Sequence, residues 1–136
     1  MTKKDVNSLT HEIIGAAIEV HRELGPGLLE SVYEKCLIHV LREKGLNTKS
    51  QMKVPLIFRG MPLDVDLKCD VLVNDCIVVE LKTVEWFAPV HECQLLTYLN
   101  LLKKPKGILI NFYCTNIFKE GQKTFVTEHY RHLPDF

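Results

Sequence analysis

The strongest constraint on this chain is a change of hydrophobic period between Gly45 and Met52. Before it, apolar residues recur at helical spacing: Ile13, Ile14, Ala17, Ile18 and Leu24, then Leu29, Val32, Tyr33, Cys36, Leu37, Val40 and Leu41. The spacing predicts one helix capped by Asn7 or Ser8 and stopped at Gly25-Pro26-Gly27, and a second from about Leu28 to Lys44, with Gly45 just past its end. After Met52 the period is two. Met52–Phe58 reads as a strand, with Pro55 suiting an edge position. Arg59-Gly60 turns the chain into the alternating run Leu63–Leu67, which continues through Asp70–Val73. Asn74-Asp75 turns it again into Ile77–Lys82. These last two strands are apolar on both faces, as expected at a sheet centre covered on two sides. A helix from Pro89 to Lys103, a buried strand Gly107–Tyr113 and a weaker strand Thr124–Tyr130 complete the order ααβββαβ(β), an α/β fold.

The chain has 136 residues, the length of one domain spanning 1–136 and enough to bury a core without staples. Seventeen basic residues balance seventeen acidic ones, so a nucleic-acid partner would have to be held by a local basic patch. The apolar runs are short and interrupted, which argues against a membrane span, and the polar start Met1–Asp5 does not read as a signal peptide. The five cysteines, Cys36, Cys69, Cys76, Cys93 and Cys114, stand singly and without a CxxC pair. They read as buried thiols in a reducing cytoplasm rather than as zinc or iron–sulfur ligands.

Polar interruptions of apolar strands carry the chemistry. Glu80 and Lys82 break the run Ile77–Leu81 and, two apart, share a face. Asp70 opens the neighbouring strand of the same hairpin. Charged groups are rarely buried unless paired or binding something, and a divalent cation would give this cluster a purpose, since Mg²⁺ takes one or two carboxylates plus water and phosphate. The alternative is an ion triad that closes the end of the sheet. The two readings differ in geometry. A two-residue turn at Asn74-Asp75 would pair Asp70 with Val79 and send Asp70 and Glu80 to opposite faces. Cation binding requires a three-residue loop or a bulge that sets Asp70 across from Glu80, and that irregularity is expected here.

Other residues have two readings each. Glu30 lies within the apolar stripe of the second helix, either as a first-turn carboxylate favoured by the helix dipole or as an acid aimed at the same cation. Gln94 and Tyr98, one turn apart, form either a polar edge on a core helix or part of a site. Trp86-Phe87 is a packing staple or an aromatic on which a base could stack. Lys103-Lys104-Pro105-Lys106 is a helix C-terminus with favourable dipole contacts or a phosphate contact. His21, His91, His129 and His132 have no metal-ligand spacing and read as structural or exposed.

The block Ala17–His21, followed by Leu24-Gly25-Pro26-Gly27-Leu28-Leu29-Glu30-Ser31-Val32-Tyr33-Glu34, resembles the GxxExxY family, named for residues that here are Gly27, Glu30 and Tyr33. That family is grouped with the PD-(D/E)XK nuclease superfamily. Asp70, Glu80-Leu81-Lys82 and Gln94-Leu95-Leu96-Thr97-Tyr98-Leu99 match its further blocks, the last being similar to the QxxxY motif of RecB-like nucleases. The resemblance runs from about Ile13 to Phe112. One departure is that no proline adjoins Asp70; Met61-Pro62-Leu63 precedes it instead.

The resemblance implies a restriction-endonuclease-like core, a mixed sheet flanked by helices with an acidic site at the sheet. It implies that Asp70 and Glu80 bind Mg²⁺ or Mn²⁺ together with the carbonyl of Leu81, and that Glu30 is a further or water-mediated ligand. Lys82 would orient or activate the attacking water and offset charge on the phosphate, while Gln94 and Tyr98 would shape the site. The function expected is metal-dependent hydrolysis of nucleic acid, DNA before RNA, without a membrane partner. With zero net charge, a homodimer or partner protein could supply grip. A nuclease fold kept as an inactive binding or regulatory module is the alternative.

Overall fold

Two layers of helix enclose one mixed sheet, and the reason lies in the alternation of its central strands. The computed structural model describes all residues, Met1–Phe136. Its elements are α1 (Lys3–Leu24), α2 (Glu30–Glu43), β1 (Thr48–Lys53), β2 (Leu56–Phe58), β3 (Met61–Leu63), β4 (Lys68–Val73), β5 (Ile77–Lys82), α3 (Pro89–Leu102), β6 (Lys106–Asn111), α4 (Ile117–Glu120), β7 (Gln122–Val126) and α5 (Glu128–Arg131). The sheet order is β1-β4-β5-β6-β7, with β5 and β6 parallel and every other pair antiparallel. The long connection between the parallel strands is made by α3.

On β5, Ile77, Val79 and Leu81 face the core formed with α1 and α2, which includes Ile13, Ala17, Tyr33, Leu37 and Leu41. Val78 faces the second core with Leu95, Tyr98 and Leu99 of α3. Glu80 and Lys82 continue the Val78 row, so alternation alone directs both toward the α3 side. α3 can lie close because Gly107 of β6 has no side chain: a Cβ there would come within 2.9 Å of Leu95 and Leu99 methyl carbons. This is the restriction-endonuclease-like arrangement, a five-stranded mixed sheet flanked by helices.

Several sequence expectations need correction. α1 begins at Lys3, capped by Thr2 rather than by Asn7 or Ser8. Thr2 Oγ1 accepts from the Asp5 amide at 3.1 Å, and Asp5 Oδ2 accepts from the Thr2 amide at 2.9 Å. That reciprocal box satisfies orphan donors earlier than a lone side chain could and brings buried Val6 into the core. The expected strand Met52–Phe58 is divided at Pro55, which cannot donate to a ladder; the edge strand is β1, which begins at Thr48. The alternating run Leu63–Leu67 is not a strand beyond Leu63, because β2 and β3 pair only with each other and residues 64–67 return the chain to the main sheet. The final strand is Gln122–Val126, and Glu128, His129 and Tyr130, expected within it, lie in α5 instead. All five cysteines are free, but only Cys69 and Cys76 are buried, and Cys93 is exposed. No helix is long and apolar enough to cross a membrane.

Candidate active site at the β4–β5 hairpin

The hairpin register decides which charged side chains meet. Val73 pairs with Ile77, Leu72 with Val78 and Val71 with Val79, leaving the three-residue loop Asn74-Asp75-Cys76. Asn74 and Asp75 both adopt left-handed backbone, which these two residue types tolerate better than most. Asn74 is pinned to the start of β1: its Oδ1 accepts from the Asn47 amide at 2.7 Å, and its amide donates to the Asn47 carbonyl at 2.8 Å. The extra loop residue moves the register by one relative to a two-residue turn, so Asp70 stands opposite Glu80.

Beyond Val71 and Val79 the ladder is completed by side chains. The Asp70 amide donates to Glu80 Oε2 at 3.0 Å, and the Leu81 amide donates to Asp70 Oδ2 at 2.8 Å. Both carboxylates are therefore fixed by the backbone beside them. β1 contributes on the other side. Its pairing with β4 skips Gln51 opposite Asp70, and Gln51 has φ +51°, a left-handed conformation that is costly for a residue with a Cβ. On β4 the alternation slips at the same place: Cys69 and Leu72 lie in the α3-side core, whereas Val71 and Val73 lie in the other. The local break frees the Asp70 amide for Glu80. The Gln51 side chain then donates from Nε2 to Asp70 Oδ1 at 3.3 Å and to Glu34 Oε1 at 2.7 Å. Ser50 Oγ donates to the other oxygen of Glu34 at 2.9 Å.

Electrostatics set the site apart from an ordinary surface pair. Glu80 is 4% exposed. Burial first, then the negative charge of Asp70, pushes its carboxyl up to about 9, so it holds a proton at neutral pH in the absence of a cation. Burial and the same two carboxyls push the Cys69 thiol up to about 11. Tyr98 is raised by burial and by Glu80, which sets its hydroxyl in the same neighbourhood, and Gln94 Nε2 donates to that hydroxyl at 3.1 Å. Lys82 is near enough to favour the ionised forms of Glu80 and Glu30, yet it takes part in none of the protein's ion pairs. A closed ion triad is therefore not what gathers these residues.

Glu30 occupies the first turn of α2 and is half-buried. Burial raises its carboxyl, Lys82 opposes the rise, and Asp70 and Glu34 add to it. Its place depends on the α1–α2 turn. Tyr33 donates its hydroxyl to the Gly25 carbonyl and accepts from the Leu28 amide at 3.1 Å, while its ring stacks on Phe112 at 4.3 Å between centroids. Tyr33 thus ties the α1–α2 turn to α2 and packs α2 against Phe112, just past β6. No three carboxylate, histidine or cysteine side chains form a metal-binding group on their own. Two carboxylates and the Leu81 carbonyl nevertheless suit Mg²⁺ or Mn²⁺, which keep several waters.

The remaining candidates separate clearly. Lys103 is the left-handed cap of α3, Lys104 pairs with Asp75 at 2.9 Å, and Lys106 is buried; that run is engaged in the fold. A His21 ring nitrogen meets the Cys114 carbonyl at 2.8 Å, and His91 Nδ1 accepts from the Ala88 amide at 3.1 Å at the start of α3. Gln51 and Glu34 join the site without a sequence signal of their own. Gln51 lies outside a strand begun at Met52, and only the true start of β1 at Thr48 sets it opposite Asp70.

A family model described as the PD-(D/E)XK nuclease superfamily matches residues 7–125. The chain belongs to that superfamily. The match takes in the whole site, from Glu30 through Asp70, Glu80 and Lys82 to Tyr98. Comparison with curated proteins and with solved structures gave no match.

Proposed function

We propose that this chain is a divalent-cation-dependent nuclease of the GxxExxY type that hydrolyses phosphodiester bonds of DNA. The observation that carries the reading is the three-residue hairpin loop and the pair it sets opposite one another, Asp70 and Glu80, with an unpaired Lys82 two residues on. Members of this superfamily generally use divalent metal ions, and the donor set here fits Mg²⁺ or Mn²⁺ held by Asp70, Glu80 and the Leu81 carbonyl, with Glu30 as a further ligand or through water. Such a cation would supply a water of lowered pKa and neutralise charge developing on the phosphate. Lys82 orients the attacking water and offsets the phosphate's charge as an ammonium point charge. Tyr98, held by Gln94, shapes the wall beside Glu80. Gln51 holds Asp70 in place, with Glu34 behind it. The balanced net charge leaves DNA grip to local contacts, and a second copy or a partner protein would add to it.

The test is cleavage of single-stranded, double-stranded and branched DNA, and of RNA, with Mg²⁺ and with Mn²⁺, alongside Asp70→Ala and Lys82→Ala. The reading expects metal-dependent cleavage that both substitutions abolish. Cleavage surviving both, or none on any substrate, contradicts it; the latter leaves a nuclease fold used for binding.

A further inference from the structure

We infer that Trp86 and Tyr113 form a stacking subsite for an unpaired nucleobase of the substrate strand, an inference that rests on the nucleic-acid reading above. Large aromatic rings are usually covered, yet Trp86 is 71% exposed and Tyr113 52% exposed. Both line one cleft of about 370 Å³, of the size that admits a small planar group, at the carboxyl ends of the parallel strands β5 and β6.

The cleft is built rather than incidental. Asn111 is buried and is the strand partner of Lys82. Its Oδ1 accepts from the Val84 amide at 3.1 Å and from the Tyr113 amide at 3.1 Å, and its Nδ2 donates to the Val84 carbonyl at 2.7 Å. One side chain thereby ties together the segments that carry Trp86 and Tyr113. Phe87, packed against the α3-side core, anchors the same segment from below. The cleft therefore begins at the residue adjoining Lys82.

Charge selects the occupant. The lining includes Glu85 and Glu120 and no lysine or arginine, so it repels a phosphate and accepts an uncharged ring face. The phosphate would remain by Lys82 while the neighbouring base turns into the cleft. A base can do so only when it is not paired, which makes single-stranded ends or loops the preferred substrate.

Trp86 is the chain's only tryptophan, so its fluorescence reports the contact directly. The experiment titrates the full chain, in EDTA to prevent cleavage, with deoxyribo- and ribo-oligonucleotides of one sequence, an abasic strand and a blunt duplex. Saturable quenching by a base-bearing single strand is expected, and the arm that binds more tightly identifies the sugar. Tyr113→Ala should weaken that binding roughly 5- to 100-fold, while Tyr113→Phe should retain it. Absent quenching, equal quenching by the abasic strand or the duplex, or an unaffected Tyr113→Ala overturns the subsite. Cleavage without quenching discards the subsite and keeps the nuclease; quenching without cleavage does the reverse.

Discussion

Asp70 and Glu80 hold one another through the backbone: the Asp70 amide donates to Glu80 Oε2 at 3.0 Å, while Asp70 Oδ2 accepts from the amide of Leu81, next to Glu80, at 2.8 Å. Two like charges are thus kept adjacent in a largely buried place, an arrangement that costs stability unless a proton or a cation lies between them.

Without a cation, the protein should lose stability as pH rises. The Glu80 carboxyl sits at about 9 in the folded state and near its ordinary value of 4.5 when unfolded. The folded chain therefore binds the extra proton between those limits, and stability falls through that window as the proton is lost. Glu80→Gln keeps an oxygen for the Asp70 amide and removes the titration. In EDTA at pH 8 it should raise stability by ~1 kcal/mol or more, several degrees in Tm, with the gain vanishing near pH 4. Thermal melts of both proteins across pH check this, and a flat wild-type profile contradicts it.

Lys82 should separate binding from chemistry. Its ammonium opposes a nearby cation but helps a phosphate, so Lys82→Met should leave Mn²⁺ affinity unchanged or tighter while cleavage drops by about 10²-fold or more. Paired calorimetry and cleavage assays read the two effects. Loss of metal affinity in this variant would mean that Lys82 has a structural role instead.

Gln51 should trade stability against function. Its left-handed backbone costs roughly 1 kcal/mol in a residue with a Cβ, which Gln51→Gly relieves. The same change removes the amide that holds Asp70 Oδ1, so Mn²⁺ affinity should fall about 10-fold. A raised Tm with weakened metal binding is the expected signature. Equal affinity in both proteins would show that Asp70 does not need this clamp.

Tyr33→Phe removes one hydroxyl that serves both the Gly25 carbonyl and the Leu28 amide. The ring and its stack on Phe112 remain, so the loss should be about 1–2 kcal/mol in a denaturant titration. Because the turn positions Glu30, cleavage should fall beyond what the stability change explains. An unchanged denaturation midpoint would contradict the structural role given to this motif residue.

The site hairpin is legible in the sequence because Glu80 and Lys82 interrupt an otherwise apolar strand, and alternation puts them on one face. Its loop length is legible only conditionally: a shared site for Asp70 and Glu80 demands three residues, and three are found. α2 and α3 follow from apolar spacing and Pro89. β1 is less visible. Thr48–Lys53 has an exposed outer edge and no run of buried side chains, so neither its start nor the role of Gln51 stands out. The run Leu63–Leu67 alternates as a strand would, but alternation describes only a possible face and names no partner strand. Thr2 was hidden as a cap because Asn7 and Ser8 are equally good capping types; Asn7 instead accepts from the Tyr130 hydroxyl at 3.1 Å.

The most direct measurement is calorimetric titration of Mn²⁺ into the wild-type chain and into Asp70→Ala, each in two buffers of different ionisation enthalpy at pH 7. One strong site is expected in the wild type, with protons released as Glu80 ionises to meet the ion, and its loss in Asp70→Ala. Equal binding by both proteins, or no binding by the wild type, would contradict it.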